Sequence, residues 1–202
     1  MTCEAPRTNV GELFRTDASA HEDYAILGGW ECARGTRPGD ARWFSIRVTA
    51  KELPAFFIKG GSAKRVVAGW ELLATMVAIQ LFVPSGYSLG RCTVSGATDN
   101  QGNSYIVSRC MTTSFPLNVV LMQLASDLES KGAWLSLDWL RRDRNEEADA
   151  LTNEIFHGFD MTKRIIVDFR LDDFVVMKKM LGAAADLYAD IEARRRRPAD
   201  PI

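Results

Sequence analysis

The chain predicts an α/β fold, a mixed five-stranded sheet with helices on both faces, followed by a C-terminal helical extension. Two observations carry this. Short runs rich in aromatic, β-branched and aliphatic residues occupy 11–18, 24–32 and 41–49, and the spacing then switches to a helical period before strand-like and helical runs intermix. Strands that follow one another through polar or Gly/Pro-bearing turns such as ARGTRPGD pair antiparallel, whereas strands separated by a helix can pair parallel.

In order along the chain, Val66, Val67, Trp70, Leu73, Ala74, Val77 and Leu81 recur at helical spacing over 66–82 and stop at the Pro84–Gly86 turn, which predicts a buried helix. A strand at 91–98, a short helix at 101–108, a helix at 117–131, a strand at 133–140 and a helix at 145–157, capped by Asn145, complete a β-β-β-α-β-α-α-β-α order. RIIVDFRLDDF reads as a short strand or a connection. Beyond it, Val175, Val176, Met180, Leu181, Leu187, Tyr188 and Ile191 form an amphipathic pattern for a last helix. We divide the chain into a tail at 1–10, a domain at 11–160 and an extension with a basic end at 161–202.

Composition narrows the function classes. With 202 residues and 47% hydrophobic content, one packed unit is the expectation. A net charge of −1 offers no global attraction for nucleic acid, so any electrostatic footprint must be local. The local candidates are Lys59, Lys64 and Arg65, then Arg141, Arg142 and Arg144, then Arg194–Arg197. Cys3, Cys32, Cys92 and Cys110 lack the spacing of a zinc site, and His21 and His157 are the only histidines, so a zinc site is not expected and a reducing compartment is. The absence of a signal-peptide pattern or a run long enough to span a membrane predicts a soluble, intracellular protein, nuclear or cytoplasmic.

Four acidic residues interrupt otherwise apolar or periodic segments. Asp17 closes the run in FRTDAS, Glu71 lies within AGWELLATMVA, Asp99 ends the strand-like run in TVSGATDNQG and Asp149 falls in the first turn of RDRNEEADALTN. An acid in an apolar segment needs a compensating cation or hydrogen bonds. Four converging carboxylates suit Mg²⁺ or Mn²⁺, hard cations that take oxygen ligands. Taken singly, each also fits an ordinary role: Asp17 as a turn residue, Asp99 as the cap of a helix, Asp149 as a charge favouring a helix N-terminus, and Glu71 as an exposed helix position.

The order of these motifs resembles the ribonuclease H domain of retroelement, reverse transcriptase polyprotein, type. TDASAHEDYAILGGW resembles its opening hairpin, ELLATMVAIQLF its first helix, TDNQGNSYIVSR the end of its fourth strand and WLRRDRNEEADALTN the entry to its last core helix, over residues 11–157. The resemblance implies that Asp17, Glu71, Asp99 and Asp149 form one catalytic site holding two Mg²⁺ or Mn²⁺ ions. It further implies hydrolysis of the RNA strand of an RNA–DNA hybrid, with a reverse transcriptase domain of a larger polyprotein as a possible partner. Asn100, Gln101 and Asn103 are candidate backbone or sugar contacts, with turn positions as the alternative, and Arg141, Arg142 and Arg144 are placed to contact phosphates. One departure stands out. Many members carry a histidine in the loop before the last acid, where this chain has Leu140-Arg141-Arg142-Asp143-Arg144. The competing expectation is therefore a catalytically weak or inactive module of the same fold that binds nucleic acid or a protein partner.

Overall fold

The computed structural model describes residues 11–57, 66–84 and 92–196. Lys59, Lys64 and Arg65 lie outside them, as do Cys3 and the end of the Arg194–Arg197 run. Five strands, β1 (Glu12–Ala20), β2 (Tyr24–Glu31), β3 (Trp43–Thr49), β4 (Cys92–Thr98) and β5 (Ala133–Trp139), form one sheet in the order β3-β2-β1-β4-β5. The three N-terminal strands pair antiparallel, whereas β1–β4 and β4–β5 pair parallel across the intervening helices. Those helices are α1 (Val67–Phe82) between β3 and β4, and α2 (Gln101–Arg109) and α3 (Leu117–Ser130) between β4 and β5; α4 (Glu146–Thr152) and α5 (Val175–Arg196) follow.

Alternation along the strands explains why both faces are covered. On β1, Thr16 faces α1, where its hydroxyl lies 3.1 Å from that of Thr75, while Asp17 faces α4 and accepts a hydrogen bond from Thr152. Phe14, Leu27, Phe44, Leu73 and Met76 belong to the main core on the α1 side. Trp30, Trp43, Leu151 and Phe159 form a smaller one beneath α4. A strand buried on both faces reads as a continuous apolar run, as AILGGW does on β2.

Two glycines permit close approaches, one between paired strands and one between the sheet and α4. A Cβ on Gly96 would overlap the Phe14 ring of the paired strand, and one on Gly28 would lie 2.9 Å from Leu151 Cβ and 3.0 Å from Thr152 Cγ2. The second contact matters for the site, since it lets α4 rest directly on β2 opposite Asp17.

Three expectations need correction. The helix expected at 145–157 ends at Thr152, because Glu154 adopts a left-handed conformation (φ 58) and the Ile155 amide turns back to the Ala150 carbonyl at 2.8 Å. This is the closure that ends helices at a left-handed residue. Asn145 occupies the N-cap position of α4 but makes no capping bond; it is buried and donates to the Thr16 carbonyl at 3.1 Å, tying the helix entry to β1. Finally, α5 docks by Phe174, Met177 and Leu181 on its approach and first turns, while Val175, Leu187 and Ile191 are exposed. Gln123 of α3 anchors that docking, its Oε1 accepting from the amides of Val176 and Met177. The RIIVDFR stretch is a connection rather than a strand, joined to β3 by a bridge between Trp43 and Arg164 and by the Arg164 guanidinium donating to the Ser45 carbonyl at 3.0 Å.

Candidate metal centre

The parallel ladder between β1 and β4 reaches Arg15–Ala97, and β4 ends one residue later at Thr98 while β1 runs on to Ala20. The chain leaving β4 therefore places Asp99 beside Asp17. Glu71 arrives from α1, which is fixed against β1 by the Thr16–Thr75 hydroxyl contact one helical turn further on. One carboxylate oxygen from each of Asp17, Glu71 and Asp99 lies within 4.8 Å of the other two. Acids 54 and then 28 positions apart in sequence thus converge because a helix crossover returns the chain to the central strand.

Burial and mutual repulsion dominate the electrostatics. Desolvation, then the charge of Asp99, pushes the Asp17 carboxyl up to about 6, against a hydrogen bond from Thr152 that acts the other way. The same two causes push Glu71 up to about 8, opposed by a hydrogen bond from Asn100. Burial also raises Asp99, with Arg142 opposing. Glu71 Oε2 is buried without a hydrogen-bond partner. An orphaned carboxylate oxygen between two further carboxylates, with oxygen the only donor type, fits a hard divalent cation such as Mg²⁺ or Mn²⁺.

Asp149 stands apart from that group. Its Oδ1 accepts from Arg142 Nη2 at 2.9 Å and its Oδ2 from Asn153 Nδ2 at 2.9 Å. It nonetheless contributes to the repulsion felt by Asp17 and Asp99. Asn100, not Asp99, caps α2, accepting from the Asn103 amide at 3.0 Å. Gln101 is exposed at the start of that helix, whereas Asn103 is buried and donates to the Ala68 carbonyl, turned towards α1 rather than solvent. Arg141, Arg142 and Arg144 are exposed on the turn before α4.

Several supporting residues escape a sequence reading. Thr152 holds Asp17 at 2.9 Å, Trp139 Nε1 holds the Asp99 carbonyl at 3.1 Å, and Arg15 Nη1 fixes the arginine turn through the Arg144 carbonyl at 2.8 Å. Thr152 left the clearest signal, a β-branched hydroxyl three positions after Asp149 inside a helix. Arg15 and Trp139 gave none, since their partners are backbone groups distant in sequence.

No family model and no curated protein matches the chain. Solved structures do. LC11-RNase H1, isolated from compost by a metagenomic approach, is 15% identical with a TM-score of 0.50, covering 71% of this chain and 94% of that one. The same enzyme in complex with an RNA/DNA hybrid gives 17% and 0.49, covering 71% and 95%. RNase H1 from the halophilic archaeon Halobacterium salinarum NRC-1 gives 18% and 0.48, covering 71% and 96%. The first of these, together with the strand order, defines the class: the chain has the ribonuclease H-like fold. Among the described residues, no helix is long and apolar enough to cross a membrane.

Proposed function

We propose that this protein is a metal-dependent endoribonuclease that cuts the RNA strand of an RNA–DNA hybrid, of the retroelement type whose motifs its sequence resembles. The observation that carries the reading is the convergence of Asp17, Glu71 and Asp99 around the buried, unpartnered Glu71 Oε2. Asp17, Glu71 and Asp99, with Asp149 as the fourth ligand, would hold Mg²⁺ or Mn²⁺, which when bound activates a water and stabilises the leaving 3′ oxygen.

The chain's own residues do the positioning. Thr152 and Asn100 orient Asp17 and Glu71, Trp139 holds the backbone at Asp99, and Asn145 and Arg15 fix the entry to α4. Arg141, Arg142 and Arg144 supply local positive charge for phosphates, and Gln101 is exposed beside the site for contact with the sugar–phosphate chain. Selection of a hybrid over duplex DNA rests on 2′-hydroxyls displayed in a shallow minor groove. A retroelement origin would make a reverse transcriptase domain its natural partner.

The test is incubation of folded protein with a hybrid labelled on either strand, with Mg²⁺, Mn²⁺ or chelator. RNA-strand cleavage with metal, lost with chelator and in Glu71→Gln, is the expected result. Binding without cleavage under either metal would instead establish the silent module, the reading favoured by the Arg142–Asp149 pair and by the missing loop histidine.

A further inference from the structure

Among the described residues, one cation pairs with any of the four site carboxylates, and it is Arg142. Its Nη2 lies 2.9 Å from Asp149 Oδ1, although its side chain is 79% exposed. The turn that carries it is anchored, through Arg15 and the Arg144 carbonyl, whereas among the described residues the guanidinium is held by Asp149. With Asn153 on Oδ2, both oxygens of Asp149 are engaged, in contrast to Glu71, which keeps an oxygen free. The positive charge of Arg142 also acts on Asp17, Asp99 and Glu71, so it offsets repulsion across the whole cluster.

A guanidinium and a divalent cation compete for the same carboxylate oxygens. We propose that Arg142 is a built-in counter-ion of the carboxylate cluster, holding Asp149 until a divalent cation displaces it and frees the guanidinium for a substrate phosphate. The inference rests on the reading of the four acids as a cation site. It assigns Arg142 a task that its neighbours do not share: Arg141 pairs with Asp143, and Arg144 takes part in no ion pair with the site acids among the described residues. Metal loading and phosphate capture become linked through one side chain, because the guanidinium that leaves Asp149 is then free to pair with a phosphate.

The test counts bound Mn²⁺ by the loss of its free-ion electron paramagnetic resonance signal, in protein without substrate. Arg142→Ala should bind Mn²⁺ about 2- to 5-fold more tightly than wild type, the range an exposed ion pair supplies. Arg142→Lys, which keeps the charge, should return most of the way to wild type. Arg141→Ala, an equal loss of charge one residue away, should leave Mn²⁺ affinity unchanged. Equal affinity of Arg142→Ala and wild type overturns the proposal, as does equal tightening by Arg141→Ala, which would reduce the effect to net charge. Failure of wild type and every variant to bind Mn²⁺ overturns the metal-site reading itself, a result distinguishable from the other two.

Discussion

Glu71 and Asp17 are held in the fold at a cost that a cation would offset. Both titrate higher than their ordinary values of 4.5 and 3.8, at about 8 and about 6, so the folded chain retains protons that the unfolded chain has released. Their contribution to stability is therefore full below about pH 4 and is lost as pH rises through about 6 for Asp17 and about 8 for Glu71. Melting in chelator should show a lower midpoint at about pH 8.5 than at about pH 5 from these two groups. Added Mg²⁺ should raise the midpoint more at the higher pH, because the ion binds the ionised carboxylates. Glu71→Gln removes the proton uptake that folding requires of this group and should stabilise the metal-free fold by about 1–3 kcal/mol at neutral pH while abolishing the stabilisation by Mg²⁺. If the Glu71→Gln variant still gained stability from Mg²⁺, Glu71 would be removed from the site.

At the scale of elements, the site depends on how closely α4 sits on the sheet. Gly28 is the position that permits this, and Gly28→Ala places a methyl 2.9 Å from Leu151 Cβ and 3.3 Å from the Ala148 carbonyl. The helix must shift, at about 1–3 kcal/mol for an overpacked interface. The displacement should also lengthen the Thr152–Asp17 bond, so cleavage should fall further than stability alone accounts for; denaturation and a hybrid-cleavage assay on one sample would separate the two. An unchanged denaturation midpoint would mean that α4 has slack there. These elements were legible in sequence where periodicity was strong. The run from Val66 to Leu81 located α1 within a residue, and the acid within it marked a charged group on an otherwise apolar helix. What stayed hidden depends on contacts between distant segments: Asn145 looked like a cap and serves β1, Asn103 read as a backbone or sugar contact or a turn residue and is turned to α1, and α4 stops early at a left-handed glutamate that no glycine signalled. The convergence itself came from motif order, since spacing alone does not say that β4 ends beside Asp17.

The whole molecule carries a net charge of −1, so its overall field gives a polyanion no attraction, and any affinity for nucleic acid must come from where its cations sit. On the turn before α4, Arg141, Arg142 and Arg144 are exposed beside an otherwise acidic centre. A phosphate approaching that centre meets carboxylates and arginines together, which favours binding only after the acids are neutralised. Hybrid affinity should therefore require both divalent metal and low salt. Replacing Arg141 and Arg144 together by Ala, with Arg142 kept, should weaken hybrid binding and flatten the slope of log affinity against log salt by about 1 to 2. The measurement is a salt titration of binding by wild type and by the double variant in Ca²⁺, an ion that neutralises the same oxygen ligands but lacks the tight octahedral geometry of Mg²⁺, with the hybrid checked to be uncut at the end. If the two slopes agree, phosphates are met elsewhere on the surface and the arginine turn is a solvated loop.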